Sequence, residues 1–262
     1  FVFLHYFPSI HSVVLHERGV FPTELEQELG IRIMMIKYEH ALIVGAGPGL
    51  SASLARIFAD HGLHVTIAAR TIGDLEPLCG ETGATSLTCD ATDPEDVAGV
   101  FVALDDAPPD VVVYNPSERE RGPFVEIDAV GVKDAIMVTA YGGFLVAQEA
   151  VKRMLPNKHG SILFTGASAS VKGYAQSASF AMGKFALRGL AQSLARELHP
   201  QGIHIGHFVI DGGIRNPARP ERVDPAETPD SMLDPGAIAQ SYWDFIQQDR
   251  SVWSWELELR PW

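Results

Sequence analysis

Residues 41–55, ALIVGAGPGLSASLA, decide the fold of this chain. The stretch begins with four apolar residues, which predict a buried strand, and continues through Gly45, Gly47 and Gly49, which predict a sharp turn. From Leu50 onward, apolar residues recur at helical spacing. Glycines between a strand and a helix let the backbone approach a pyrophosphate, whose charge the helix N-terminus stabilises. We therefore predict dinucleotide binding by these three glycines and Leu50, with a tight turn that binds no ligand as the alternative.

The spacing of these glycines departs from the G-x-G-x-x-G pattern, because Leu50 stands at the last glycine position. The pattern G-x-x-x-G-x-G fits better, with Gly45 and Gly49 followed by Ser51 in place of the final glycine. The strand before the turn and the helix after it supply the context that such a pattern requires.

Outward from this stretch, short β-branched runs alternate with helices, which is typical of βαβ units and a parallel sheet. Long helices are predicted over about 132–155 and 180–199. We predict an α/β fold of the Rossmann type, a doubly wound, mostly parallel seven-stranded sheet with helices on both faces. The predicted strands are 41–44, 64–68, 84–88, 111–114, 161–164, 203–210 and a C-terminal one within 253–259.

Composition excludes several classes of protein. The chain has 262 residues, of which 46% are hydrophobic and 20% charged, and its formal net charge is -13. An acidic chain lacks the basic face needed to wrap nucleic acid or coat an anionic membrane, and no apolar run approaches the roughly 18 to 20 residues of a membrane span. The two cysteines, Cys79 and Cys89, show no metal-site spacing. We predict a reduced, cytoplasmic protein without nucleic-acid, membrane or metal partners.

The sequence also suggests boundaries within the chain. Residues 1–34 precede the patterned region and show no clear period. They are either an upstream or non-native extension, or an accessory segment in which TELEQELGI forms a short helix. Residues 35–262 are predicted to form a single nucleotide-binding domain, in which the loop 212–235, rich in Pro, Arg, Glu and Asp, covers the substrate.

Arg70 follows the second predicted strand, where an acidic residue would bind the free ribose 2′-hydroxyl of NAD. A guanidinium suits a 2′-phosphate and offers no acceptor to an unphosphorylated ribose. We therefore predict NADP(H) in preference to NAD(H). The alternative is a solvated surface arginine.

Further stretches carry a family resemblance: VGAGPGLS, TCDATD after the third strand, VYNPS after the fourth, SFAMGK on a late helix and VIDGGI after the sixth strand. From about 41 to 262 the chain resembles the short-chain dehydrogenase/reductase family. The resemblance implies a small-molecule substrate, and a homodimer or homotetramer built on the two long helices. It also implies cofactor contacts from Asp90 at the adenine, Asn115 in the cleft, Lys184 at the nicotinamide ribose, and Gly212 to Ile214 at the nicotinamide.

The chain departs from the active site that the resemblance implies, which is Asn, Ser, Tyr and Lys. Lys184 is present, but Phe180 occupies the position of the proton-donating Tyr four residues earlier. Thr139 stands at the Asn position, and Ser168 lies next to the Ser position. A missing general acid typically costs about 10²–10⁴ in rate. We predict Lys184, Ser168 and Thr139 as catalytic residues, with water or one of three phenols as further proton donors, namely Tyr114, Tyr141 and Tyr174.

Three functions are compatible with these features. The first is an atypical NADP(H)-dependent oxidoreductase that transfers hydride between nicotinamide and a small carbonyl or alcohol, and we favour it. The chain resembles a divergent branch of the family with Phe at the Tyr position and a C-terminal strand like ELELRP, residues 256–261. The second is a catalytically silent NADP(H)-binding sensor or partner subunit. The third is a protein that binds another nucleotide.

Overall fold

A parallel sheet forms the centre of the computed structural model, which describes residues 38–216 and 219–262. Its strands are β1 (His40–Val44), β2 (His64–Ala69), β3 (Thr85–Thr88), β4 (Val111–Tyr114), β5 (Ser161–Thr165), β6 (His204–Ile210) and β7 (Glu256–Leu259). Their order is β3-β2-β1-β4-β5-β6-β7, and every pairing between them is parallel. The predicted seven-stranded, Rossmann-type sheet is confirmed.

Helices connect the strands, and short sequence signals fix their ends. Asp93 caps one helix by accepting a hydrogen bond from the Glu95 N–H at 2.8 Å, and Gly62, with a φ of +83°, follows another. A π-helical segment, Met137–Tyr141, joins two further helices. The described helices are α1 (Leu50–Asp60), α2 (Glu76–Thr82), α3 (Pro94–Ala103), α4 (Ala129–Ile136), α5 (Gly142–Met154), α6 (Ala178–Leu198) and α7 (Pro235–Ile246).

Different helices cover the two faces of the sheet. On one face α3, α5 and α6 pack together, and Phe101, Val146 and Leu187 join the apolar core beneath them. On the other face α1 packs against α7, where the ring centroids of Phe58 and Trp243 lie 6.5 Å apart. A parallel sheet is stable when both of its faces are buried in this way. The prediction of helices on both faces is confirmed.

The strand order reverses beside β1, and this reversal positions the functional site. The chain runs outward from β1 through β2 to β3 and then crosses back to β4, so that Val44 pairs with both Ala68 and Tyr114. At such a switch point the loops after the two neighbouring strands diverge and leave a crevice at the carboxyl ends. The glycine turn after β1 and Asn115 after β4 meet at this crevice.

Besides its backbone pairing with β6, the last strand is tied to the rest of the fold by one carboxylate. Glu256 of β7 accepts two hydrogen bonds from the Arg188 guanidinium, at 2.6 and 2.8 Å, and its Oε2 lies 3.0 Å from Nδ1 of His207. Because Arg188 belongs to α6 and His207 to β6, the carboxylate joins three elements. These contacts add to the backbone pairing with β6 in holding a short strand at the edge of the sheet.

Some elements differ from the predictions. The helix predicted over 132–155 begins at Ala129 and is interrupted by the π segment, while α2 and α7 were not predicted. The seventh strand spans only Glu256–Leu259, so Trp253 lies before it. The Trp253 ring instead stacks on His204, with centroids 4.5 Å apart and planes 3° apart. This stacking partly buries the ring without placing the backbone of Trp253 in the sheet.

One helical stretch, Ala129–Asn157, is long and apolar enough to cross a membrane, judged only by length and composition. Its most apolar window is 33% buried, and the stretch packs against β4, β5 and α6. A helix that contributes to the core of a globular domain passes the same test. The stretch is therefore a helical part of the domain that packs on the sheet.

The compact unit that contains the site covers Lys37–Trp262. The predicted extension 1–34 and its short helix lie outside the described residues. The loop 212–235 is described apart from 217–218.

Candidate active site

Gly45 makes the turn after β1. Its φ is +83°, in the left-handed region that residues with a Cβ avoid, and a Cβ built there would lie 2.6 Å from the Pro116 ring. Its N–H donates to the Ala68 carbonyl at 2.9 Å. Both the conformation and the close approach therefore require glycine at this position.

Gly47 and Gly49 face open space. A Cβ at either glycine would meet no atom within 4 Å. Gly49 is the N-cap of α1 and offers no side-chain hydrogen bond to the first turn of that helix. An uncapped helix N-terminus presents free N–H groups that bind anions. These residues fit the pyrophosphate of a dinucleotide.

Asn115 connects the two sides of the crevice. Its side-chain amide donates to Ser51 Oγ at 2.7 Å, and the Ser51 hydroxyl donates to the Gly45 carbonyl at 2.9 Å. The Asn115 N–H donates to the Val44 carbonyl at 3.0 Å. The Ser51 hydroxyl thus stabilises the turn, which explains why a serine stands at the position of the final glycine in the pattern.

Two clefts open at this edge of the sheet and share Asn115 and Arg119. The larger cleft measures about 700 Å³ and the second about 590 Å³. Neither cleft is lined by Gly47 or Thr139. Of the predicted site residues, the larger cleft is lined by Gly49, Leu50, Asn115, Ser168, Phe180, Lys184, Gly212 and Ile214, and the second by Gly45, Arg70, Asp90 and Asn115.

Arg70 and Asp90 lie together in the second cleft, at the ends of neighbouring strands. Arg70 is exposed at the end of β2. The Thr92 N–H and hydroxyl donate to Asp90 Oδ1 at 2.9 and 2.8 Å. These two hydrogen bonds, and then the positive charge of Arg70, lower the pKa of the Asp90 carboxyl. The arrangement offers one cation and one anion to the adenosine half of a dinucleotide.

Lys184 is buried in the larger cleft, with 2% of its surface exposed. Its ammonium donates to the Thr165 carbonyl at 2.6 Å. Burial, and then the nearby charge of Arg119, lower the pKa of Lys184 to about 7. The lysine is therefore held at a fixed point, and its lowered pKa lets the ammonium release its proton near neutral pH.

Phe180 stands at the position of the proton-donating Tyr, and its ring lies against two cations. The centre of the Arg119 guanidinium lies 3.7 Å from the centroid of its ring, and the Lys184 Nζ lies 5.9 Å from it. A guanidinium that stacks on an aromatic face in this way is attracted by the electrons of the ring. Sequence reasoning missed Arg119, for which the charged run SERER, 117–121, was the only signal.

Ser168 and Thr139, both predicted to be catalytic, lie in different surroundings. Ser168 begins a short 3₁₀ turn after β5 and lines the larger cleft. Thr139 is buried in the π segment, where its hydroxyl accepts the Glu118 N–H at 3.2 Å. Thr139 therefore holds the loop that carries Arg119, at a distance from the cleft surface.

The three phenols predicted as alternative donors are separated by the fold. Tyr114 is fully buried and donates to the Val138 carbonyl, and burial raises its pKa. Tyr141 stacks on Phe144 and lines neither cleft. Tyr174 lines the larger cleft. Among these three candidates, Tyr174 is the one that lines a cleft at this edge of the sheet.

The loop after β6 is folded back over the larger cleft by one arginine. The Arg215 guanidinium lies 2.6 Å from Asp224, 3.2 Å from Asp234 and 3.5 Å from Asp230. Ile214, at the base of the loop, forms a parallel bridge to Leu233. These contacts hold the loop together beside the cleft, and the role of 212–235 as a cover stays a prediction.

A parallel sheet that reverses its order beside a glycine turn defines the class of α/β nucleotide-binding folds. The sequence model of the family described as short chain dehydrogenase matches residues 39–222. The chain belongs to the short-chain dehydrogenase family.

Individual relatives agree with this assignment. (+)-Borneol dehydrogenase 1 of Salvia officinalis is 30% identical over 169 residues, which are 62% of this chain and 65% of the relative. Short chain aldehyde dehydrogenase 1 of Euphorbia lathyris is 30% identical over 179 residues, 63% of this chain and 60% of the relative. The chain thus matches less than two thirds of the length of either relative.

Solved structures show the same fold. The crystal structure of a short-chain dehydrogenase from Rhodopseudomonas palustris has 31% sequence identity and a TM-score of 0.73, and the match covers 86% of this chain and 99% of that one. An alcohol dehydrogenase from Thermococcus sibiricus, complexed with 5-hydroxy-NADP, has a TM-score of 0.74 at 21% identity, with 85% and 96% of the chains covered. At that identity the second structure supports the fold alone.

Proposed function

We propose that this chain is an atypical NADP(H)-dependent oxidoreductase that transfers hydride between the nicotinamide and a small carbonyl or alcohol. The observation that carries the proposal is the position of Lys184, buried in a cleft of about 700 Å³ that begins at the glycine turn. When bound there, NADPH supplies the hydride. The residues of the chain bind the cofactor, orient the substrate and protonate its oxygen.

Cofactor binding is assigned to the residues at the carboxyl ends of the strands. Gly47 and Gly49 leave open space at the start of α1 for a pyrophosphate. Lys184 would hold the nicotinamide ribose. The remaining assigned contacts are Gly45, Leu50, Asp90, Asn115, Gly212 and Ile214.

The preference for NADP(H) is assigned to Arg70. Its guanidinium at the end of β2 would neutralise a 2′-phosphate. We expect Arg70→Ala to weaken NADPH binding about tenfold and NADH binding little, because one charge-assisted contact is lost. Isothermal titration of both cofactors checks this, and an unchanged ratio of their Kd values would remove Arg70 from the assignment.

The proton for the substrate oxygen has to come from a group other than Phe180, because a phenyl ring carries no acidic proton. Tyr174 and Ser168 both line the larger cleft, and each carries a hydroxyl. We assign proton delivery to Tyr174 and hydrogen bonding of the developing oxyanion to Ser168. Thr139 is a positioning residue, because its hydroxyl holds the Glu118 N–H.

A panel of ketones, aldehydes, imines and activated alkenes tests the reaction, with NADPH oxidation followed by its absorbance. We expect oxidation with at least one member of the panel, and a loss of about 10²-fold in kcat for Tyr174→Phe but little change for Tyr141→Phe. Tight NADPH binding without oxidation on the whole panel would instead favour a silent NADP(H)-binding protein.

Phe180→Tyr is the complementary test. If the site is otherwise intact, the new phenol beside Lys184 restores a proton donor and raises kcat. No gain with any carbonyl would mean that the site has diverged beyond the mechanism implied by the family resemblance.

A homodimer or homotetramer is proposed from the surfaces of the long helices. Phe144 on α5 is 42% exposed, and Phe185 and Met182 on α6 are 45% and 52% exposed. Large apolar side chains that remain exposed on adjacent helices favour burial against a second copy.

The free thiols Cys79 and Cys89 fit a cytoplasmic, reducing compartment.

A further inference from the structure

The larger cleft contains four arginines that lack a carboxylate partner among the described residues. Arg119 and Arg121 come from the loop after β4, and Arg219 and Arg222 come from the loop after β6. Arg215, which also lines the cleft, is neutralised by three aspartates. The cleft is therefore basic, although the whole chain carries a formal charge of -13.

Three of the four arginines, Arg119, Arg121 and Arg222, are close enough to affect one another. Burial lowers the pKa of Arg119, and the charges of Arg121 and Arg222 lower it further. Asp211 is the acidic residue that lines this cleft, and it is bound to Lys172 at 3.1 Å. Guanidinium groups gathered without counter-ions repel one another, so an anion that enters between them relieves an existing cost.

Their position points to the substrate side of the cleft. Arg119 lies on Phe180, whose ring is also close to Lys184. The arginine assigned to the 2′-phosphate, Arg70, lines the other cleft. Arg121, Arg219 and Arg222 line only the larger of the two clefts, whereas Arg119 lines both. The cluster is thus centred near the reacting end of the site, with Arg119 at the boundary to the adenosine half.

We infer that the substrate carries an anionic group, a carboxylate or a phosphate, which the cluster of Arg119, Arg121, Arg219 and Arg222 binds. This inference rests on the proposed oxidoreductase function and narrows its substrate class. Arginine suits the role because its planar donors bind both carboxylates and phosphates in pairs of hydrogen bonds.

The test compares an anion with its neutral twin on protein saturated with NADP⁺, so that no reduction occurs. The probes are 4-formylbenzoate and its methyl ester, titrated by calorimetry. We expect the acid to bind at least about tenfold more tightly than the ester, and salt at about 0.3 M to reduce this preference. Phenyl phosphate, titrated beside benzoate, separates a phosphate from a carboxylate preference.

The variant Arg121→Gln/Arg222→Gln locates the preference. We expect it to bind acid and ester within about twofold of each other while its Kd for NADP⁺ stays within about twofold of the wild type. Arg56→Gln, which removes an exposed arginine paired with Glu81, is the control and should retain the preference.

Three results would overturn the inference. The first is a wild-type protein that binds the acid no better than the ester, including one that binds neither. The second is a double variant that keeps the preference, and the third is one that loses NADP⁺ affinity, which would assign the cluster to the cofactor. Failure of the wild type to bind NADP⁺ contradicts the proposed function instead, and the same titrations without NADP⁺ then decide on the arginines alone.

Discussion

The position of Lys184 costs free energy in two ways that a surface lysine avoids. Its ammonium is removed from water and lies near a second cation, while the Thr165 carbonyl is the hydrogen-bond partner that satisfies it. Such groups are concentrated at functional sites, because a ligand that supplies further partners recovers the cost. The ribose hydroxyls of a dinucleotide are partners of this kind.

A pH dependence of stability follows from this burial. The pKa of Lys184 is lowered to about 7 in the folded chain, whereas an unfolded lysine titrates near about 10.4. Between these values the unfolded chain binds more protons, so the free energy of unfolding rises with pH. We expect Lys184→Met without cofactor to be more stable than the wild type near pH 6 by several kcal/mol, since a tenfold loss of proton affinity corresponds to about 1.4 kcal/mol. The gain should shrink as the pH approaches about 10.

Urea denaturation of both proteins across this pH range measures the effect. Lys152→Met, which removes an exposed lysine, is the control and should follow the wild-type curve at every pH. A constant difference between Lys184→Met and the wild type would contradict an origin in titration.

Gly45 and Gly47 are expected to respond differently to a methyl group. Gly45→Ala places a Cβ 2.6 Å from Pro116 at a φ of +83°, whereas Gly47→Ala meets no atom within 4 Å. We expect Gly45→Ala to lower the free energy of unfolding by about 1–3 kcal/mol and the Tm by several degrees. Gly47→Ala should keep the Tm and lose affinity for NADPH. Calorimetry and cofactor titration separate the two effects, and equal Tm values for both variants would contradict this account.

Residues beside the strand ends could be placed from sequence, whereas residues on loops could not. Gly49, Asp90 and Asn115 each follow a strand, and parallel strands bring their carboxyl ends to one edge. Arg119 and Tyr174 reach the cleft through the paths of long loops, which local pattern does not determine. From sequence alone, Tyr174 is one phenol among three and Arg119 is one cation within a charged run.

At the scale of elements, the loop after β6 depends on Arg215. Its three aspartate partners lie in the same loop, between Asp224 and Asp234, so a single guanidinium connects three points of the loop in addition to the bridge between Ile214 and Leu233. We expect Arg215→Ala to open this loop, to raise the KM for substrate several-fold and to speed limited proteolysis within 212–235. Arg56→Ala, which breaks another surface pair, is the control. Unchanged cleavage would show that other contacts hold the loop.

Hydrophobic period predicted the existence and order of the strands but missed some boundaries. The π segment Met137–Tyr141 has the apolar spacing of an ordinary helix, so the sequence gives no sign of its different hydrogen bonding. What distinguishes the segment is its close packing against α6. Gly183 shows this packing, because a Cβ there would lie 2.9 Å from Cβ of Thr139. Such a contact joins residues far apart in the chain and leaves no periodic signal.

For the whole molecule, the distribution of charge is more informative than its sum. A net charge of -13 means that an anionic cofactor depends on a few local cations, yet the basic cleft formed by four arginines follows only from the fold. Negative charge elsewhere on the surface favours solubility, while the cleft focuses a field of the opposite sign.

The assembly state offers a test at this scale. We expect the wild type to elute as a dimer or tetramer in size-exclusion chromatography with light scattering, and Phe144→Glu/Phe185→Glu to elute as a smaller species, because buried anions would face each other across the helices. Val102→Glu changes another exposed apolar residue, 64% exposed on α3, and should leave the mass unchanged. A wild type that is already monomeric would contradict the proposal.

The contacts that Glu256 makes with α6 and β6 have a consequence while the chain is synthesised on the ribosome. Glu256 follows His207 by 49 residues and Arg188 by 68 residues, so both partners are made well before it. Because a ribosome's exit tunnel holds back the newest part of the chain, β6 emerges before the strand that covers its outer edge. During this interval the edge of β6 in the nascent chain is unpaired. Unpaired strand edges are surfaces that chaperones recognise and that promote aggregation.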